Sequence, residues 1–140
     1  MSTDNTTVAF VGVGNAGTIV TSSDGTTMDT RTSGTTNNLT SVTYGNGLFV
    51  TVGDSGTILT SSDGKTWTER TSGTGYNLYG VTYGNGTFVA VGYAAIILAS
   101  TDGSIWANSS VSNIGTNTLD KITYGTRLFA TVGSRGVSWG

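Results

Sequence analysis

The chain has 140 residues, a net charge of −2, only 10% charged residues, 22 glycines, and no proline, cysteine or histidine. That length suits a single domain with its own core, and the near-neutral charge offers no footprint for a phosphate backbone or an anionic membrane. Without cysteine there is no disulfide framework, no apolar run approaches the ~18 residues of a spanning helix, and MSTDNTT at the N-terminus lacks the regions of a signal peptide.

In chain order, VAFVGVG is the second strand, Val8 to Gly14, of a unit that lacks a clear first strand, and SSDGTTM follows from Ser22. The next segments show one unit in full. LTSVTYG from Leu39 is a strand closed by Tyr44, and Asn46-Gly47 is a tight two-residue turn, because both residue types tolerate positive φ. LFVTVG from Leu48 is almost continuously apolar, as expected of a strand covered on both faces. Asp54-Ser55-Gly56 turns into TILTSS, and Asp63-Gly64 turns again into KTWTER from Lys65. The polar link TSGTGYN leads to a second complete unit, with VTYGNG at Val81, TFVAVG at Thr87 and STDGSIW at Ser100. A last unit begins at Leu119, with ITYGTR at Ile122 and LFATVG at Leu128, and reaches its third strand at Val137 to Gly140.

Phe10, Phe49 and Phe88 are 39 residues apart, and Phe129 follows after 41. A four-stranded antiparallel meander at this period predicts an all-β fold, a β-propeller with about three and a half blades in one domain of residues 1–140. The units span 8–33, 39–70, 78–109 and 119–140.

The recurring turn carries a family resemblance. Ser61, Asp63, Gly64, Thr66 and Trp67 resemble the Asp-box of sialidase-type and photosystem-assembly-type propellers, with one residue fewer between Asp and Gly. Ser100, Asp102, Gly103 and Trp106 match with Ile105 in place of Thr, and Ser22, Asp24 and Gly25 match with Met28 in place of Trp. The resemblance spans nearly the whole chain. It implies a structural turn between third and fourth strands, with Asp accepting backbone N–H bonds and Trp packing between blades. Repeat-equivalent aspartates stand far apart around a ring, so they do not converge on a metal.

Three and a half blades do not close a ring, and an open end exposes a blade face and a strand edge. The expected remedy is a homodimer or homotrimer. The strand at Leu119 would complete the sheet begun at Val8 of another copy, giving six to eight blades for a dimer. Assembly residues on this reading are Val8, Phe10, Val11, Leu119, Ile122, Leu128 and Phe129.

Catalysis has little to work with. There is no histidine or cysteine and one glutamate, Glu69, and the remaining acids show no paired spacing. Arg31 and Arg70 occupy equivalent places in TRTSG and ERTSG and read as solvated strand ends. GVGNAG at Gly12 resembles a dinucleotide glycine motif, but no helix follows, so it reads as a hairpin turn. No enzyme, cofactor or metal is expected. The leading reading is a self-assembling structural or recognition module, and its Thr/Gly/Ser-rich composition resembles bacteriophage virion or tail components. The chain would then be cytoplasmic at synthesis and virion-associated later. The alternative is a lectin-like propeller in which Tyr76, Tyr79, Tyr93 and Trp139 stack on sugars. The photosystem-assembly members act as chaperone-like scaffolds, a third reading that ranks last because those proteins are exported and close within one chain.

Overall fold

The computed structural model describes residues 7–110 and 117–133 and the backbone of 138–139. The chain is all-β, a partial propeller of four antiparallel sheets. The first blade has β1 (Phe10–Val13), β2 (Ile19–Ser22) and β3 (Asp29–Arg31). The second has β4 (Leu39–Gly45), β5 (Leu48–Gly53), β6 (Ile58–Ser61) and β7 (Thr68–Arg70). The third repeats it with β8 (Leu78–Gly84), β9 (Thr87–Gly92), β10 (Ile97–Ser100) and β11 (Ala107–Asn108). The fourth has β12 (Leu119–Gly125), β13 (Leu128–Gly133) and β14 (Ser138–Trp139). No helix among the described residues is long and apolar enough to cross a membrane.

Strand order follows chain order in every sheet, because each connection is a hairpin. The turn between first and second strands has both central residues at positive φ, at 49° and 76° for Asn46-Gly47 and 52° and 69° for Thr126-Arg127. This is the primed geometry whose twist matches the flanking strands. The fourth blade reaches it without glycine, so its hairpin is held against the local preference of a β-branched threonine.

The inner strands differ from simple alternation. The ladder slips by one residue after Leu39, Leu78 and Leu119, leaving Thr40, Tyr79 and Asp120 as bulged positions. In the second blade the bulge frees Thr40, whose Oγ1 donates to the Leu78 carbonyl of the next blade at 2.6 Å. Ser41 Oγ accepts from the Val81 amide at 3.2 Å, so adjacent inner strands are tied in both directions.

The core lies between blades. Val50, Val52 and Ile58 of the second blade pack with Leu78, Phe88, Ala90, Leu98 and Trp106 of the third. Val89, Val91 and Ile97 pack with Leu119 and Phe129 of the fourth, and Ile19 joins Leu39 and Leu59. Each fully buried Val, Leu, Ile or Phe is worth about 1.5–3 kcal/mol, against about 1 kcal/mol net for a hydrogen bond. Stacking of blades therefore dominates stability, and the ladders fix register.

Three sequence expectations are corrected. The strand expected over Val8 to Gly14 is Phe10–Val13, and the Val8 side chain instead sits over Gly64 of the second blade. The ladder of β1 to β2 begins at the Phe10–Ser22 pair, with the Ala9 amide donating to the Ser22 carbonyl at 2.8 Å, and no described strand lies on the inner edge of β1. The fourth strand expected from Lys65 is only Thr68–Arg70, because residues 65–67 belong to the turn. Arg31 and Arg70 are not solvated ends: both are half-buried, with Nε donating to Thr21 and Thr60 Oγ1 at 2.9 Å across the strand pair.

A methyl group added at Gly84 would overlap the Tyr124 ring, whereas one at Gly125 meets nothing within 4 Å. Gly84→Ala is expected to cost about 1–3 kcal/mol, as other overpacked sites do. Gly125→Ala in the monomeric chain is expected to be near neutral. Urea denaturation of the two variants checks both.

Candidate functional site

Each Ser-x-Asp-Gly turn is a closed hydrogen-bond unit. In the second blade the Gly64 amide donates to Ser61 Oγ at 2.7 Å, and Ser61 Oγ donates to Asp63 Oδ1 at 3.0 Å. The Lys65 and Thr66 amides donate to the same carboxylate oxygen at 2.8 and 3.1 Å. The first blade repeats the arrangement at Ser22, Asp24, Gly25, Thr26 and Thr27, and the third at Ser100, Asp102, Gly103, Ser104 and Ile105. The glycine stands at a φ of 79° to 83° in all three, which lets the chain reverse under the carboxylate.

Tryptophan joins the turn to the core. Trp67 and Trp106 Nε1 donate to the Gly64 and Gly103 carbonyls at 2.9 and 2.8 Å. Their rings lie 6.3 and 6.5 Å from Phe49 and Phe88. Met28 of the first blade has no N–H to donate and is 58% exposed.

Two amide donors hold the Asp24 carboxyl down to a pKa of about 2, from the Thr27 and then the Thr26 backbone. Lys65 and Thr66 lower Asp63 likewise, and Ile105 and Ser104 lower Asp102. One oxygen of each carboxylate is thus committed to the turn. Among the described residues no three His, Cys, Asp or Glu side chains gather as metal ligands.

The aromatic candidates separate. Tyr76 and Tyr93 meet edge to face at 5.6 Å and are 48% and 52% exposed, on the link before β8 and the turn after β9. Tyr79 is half-buried on β8, its hydroxyl accepting from Asn77 at 3.4 Å. Trp139 falls in β14, and its side chain lies outside the described residues. The positions matching Tyr93 are Asn15 and Asp54, and the one matching Tyr76 is Asn37, so the pair is peculiar to the third blade.

The assembly candidates divide between two end faces. Phe10 is 57% exposed and Val11 half-buried on the first blade. On the fourth, Leu128 and Val132 are 59% and 52% exposed, Ile122 and Phe129 are half-buried, and Leu119 is fully buried against the third. β12 is laddered to β13 over six residue pairs, so it is engaged within its own blade.

Several positions that hold blades together escaped the sequence reading. Asn38 Oδ1 accepts from the Ala16 amide at 2.9 Å, and Asn77 Oδ1 from the Ser55 amide at 2.8 Å, each pinning a link to the turn of the preceding blade. Their signal was the 39-residue spacing. Gly45 and Gly84 leave room for the rings of Tyr83 and Tyr124, a role the sequence shows only as a glycine after each tyrosine.

No family model matches the chain, and no curated protein matches it. Its fold is similar to that of a solved structure of YCF48 bound to D1 peptide, with a TM-score of 0.73 and 18% identity. The match covers 96% of this chain and 50% of that one, so this chain spans half the length of the solved propeller.

Two outcomes follow from the turn geometry. Ser61→Ala leaves the buried Gly64 amide without a partner and is expected to cost about 1–3 kcal/mol in urea denaturation. The three aspartates have folded pKa values below the ordinary value of a free carboxyl. Their contribution is therefore present above that ordinary value and lost as pH falls through the lowered folded values, about 2 for Asp24. Replacing all three by Asn is expected to flatten the acid limb of stability between roughly pH 5 and 2. Urea midpoints measured across that range check it.

Proposed function

We propose that the chain is a non-enzymatic propeller module that completes its ring with further copies of itself and serves as a structural or recognition element. One observation carries this reading: equivalent phenylalanines differ in cover by blade position. Phe88, between two neighbouring blades, is 1% exposed, whereas Phe10 at the first blade is 57% exposed. Leu128 and Val132 leave a matching apolar surface on the fourth. Open faces of this kind mark interaction sites in soluble proteins. Identical subunits repeating one interface are the simplest way to cover them.

The side-chain inventory supports a role without catalysis. The sequence has no histidine or cysteine and one glutamate, and each turn aspartate spends an oxygen on backbone amides. A rigid ring of small polar residues suits a scaffold, and the composition favours a virion or tail component within that class.

A second reading rests on Tyr76 and Tyr93, which form an exposed aromatic corner that the other blades lack. Such a corner fits the face of a sugar ring, giving one glycan site per chain and several per ring. Glycan-array binding that falls at least tenfold in Tyr93→Ala would support it, and an unchanged array profile would remove it.

The first reading is tested by light scattering coupled to size exclusion. A defined dimer or trimer is expected, stable to dilution into the micromolar range. A folded monomer of 14.3 kDa at every concentration would overturn it.

A further inference from the structure

The third blade departs from the repeat at one rim. GNAGTI and GDSGTI, which follow the second strand of the first two blades, become GYAAII from Gly92, and Asn37 of the preceding link becomes Tyr76. In the second blade this corner is polar. Asn37 Nδ2 donates to Thr57 Oγ1 at 3.0 Å, and Thr57 Oγ1 donates to the Asp54 carbonyl at 2.6 Å. In the third, a buried Ile96 stands for Thr57, and Tyr76 and Tyr93 meet edge to face in place of Asn37 and Asp54.

Both tyrosines are held by their backbones. The Tyr76 amide donates to Thr74 Oγ1 at 3.1 Å, and the Tyr93 amide to the Asn77 carbonyl at 2.9 Å. An aromatic platform fixed in this way loses little freedom when a ligand lands on it.

The link that ends in Tyr76 also walls a groove of about 580 Å3, lined by Ser55, Glu69, Arg70, Thr71, Ser72 and Thr74. That volume falls in the range of small-ligand sites. Tyr76 stands two residues beyond Thr74, at most about 7 Å along the chain, so groove and corner adjoin. Arg70 is half-buried, with Nε donating to Thr60 Oγ1 at 2.9 Å, and among the described residues its terminal nitrogens have no partner. Glu69 beside it is exposed and likewise unpaired among those residues.

A guanidinium next to a carboxylate suits neither an anion nor a cation, because one of the two repels it. A hydroxyl both donates and accepts, so it satisfies the pair. The groove therefore favours an uncharged polyol, and the corner favours one with an apolar face. A pyranose ring has both. The apolar part of the rim is two rings wide, too little for the core of a protein interface.

We infer that corner and groove form one site for an uncharged oligosaccharide of at least two pyranose residues. One sugar ring stacks on the Tyr76–Tyr93 corner, and the next is hydrogen-bonded by Arg70 and Glu69. This rests on the glycan reading above and names its ligand class and its second contact. The equivalent groove of the first blade, about 660 Å3, lacks both halves: Asn37 stands for Tyr76 and Thr30 for Glu69, and Asp29 Oδ2 lies 3.7 Å from Arg31.

The test is binding of the intact chain to immobilised glycans of one to six residues, neutral and carboxylate-bearing. Neutral chains of two or more residues are expected to bind at least tenfold tighter than the single sugars at their ends. Tyr76→Asn and Tyr93→Asp place the second blade's own residues in the third, and each is expected to lose at least tenfold on every bound glycan. Arg70→Gln and Glu69→Ala are expected to lose at least threefold on the longer chains and nothing on single sugars. Glu69→Ala removes no hydrogen bond of the described fold, so its effect is not one of stability. Absence of all glycan binding overturns this site and the glycan reading together. Binding that needs Tyr93 but ignores chain length, Arg70 and Glu69 overturns the groove and leaves the reading. A preference for carboxylate-bearing chains overturns the uncharged class.

Discussion

The fold depends on one interlock: an inner-strand tyrosine that covers the phenylalanine of its own blade and rests on the glycine of the blade before. Tyr83 touches Phe88 and lies over Gly45, so a single side chain fills a sheet face and sets the distance to its neighbour. The glycine is required because a side chain there would occupy the ring's volume. Everything else in the blade follows from this spacing. The tryptophan of the Ser-x-Asp-Gly turn reaches Phe49 or Phe88 from the other side, and the turn's hydrogen bonds fix where that tryptophan starts. The aspartate thus acts at a distance from the core it stabilises, by holding the loop that aims an indole.

Burial is cooperative along the row of blades. The third blade has neighbours on both sides and contributes Leu78, Phe88, Val89, Val91, Ile97 and Leu98 to the core. Of their counterparts in the fourth, Leu119 is buried and Phe129 half-buried, whereas Val132, the counterpart of Val91, is 52% exposed. Val91 and Val132 are the same residue type at the same place in the repeat, so the difference in their exposure follows the described neighbours and not a change of chemistry. This is the behaviour of a one-dimensional stack, in which each unit is stabilised mainly by the interface it makes.

The period, the strand order and the hairpin turns were legible because they rest on local rules: alternation, Asn-Gly at positive φ, and a glycine after aspartate. What was not legible depends on the neighbouring blade. Nothing in LTSVTYG shows that the chain bulges at Thr40, since the bulge is stabilised by the Leu78 carbonyl of another unit. Arg31 and Arg70 look like ordinary polar ends until Thr21 and Thr60 are seen beneath them. The end faces were anticipated from the strand count, but Val8 was misplaced into a ladder that has no partner strand. Of the aromatic candidates, Tyr76 and Tyr93 are brought together, and Tyr79 turns toward Asn77 instead.

Departures from the repeat separate what the fold requires from what it tolerates. Gly17 and Gly56 pack where a Cβ would strike the carbonyl oxygens of Thr35 and Thr74 in the following link. The third blade has Ala95 in this place, at a φ of 61°. It is also after this blade that the phenylalanine spacing lengthens from 39 to 41 residues. The same turn carries Tyr93, whose ring meets Tyr76 across the link before β8. The third blade therefore has the most buried core and the least regular rim. A stack gains from this arrangement: the blade fixed on both faces is the one whose loops can diverge without loosening its neighbours.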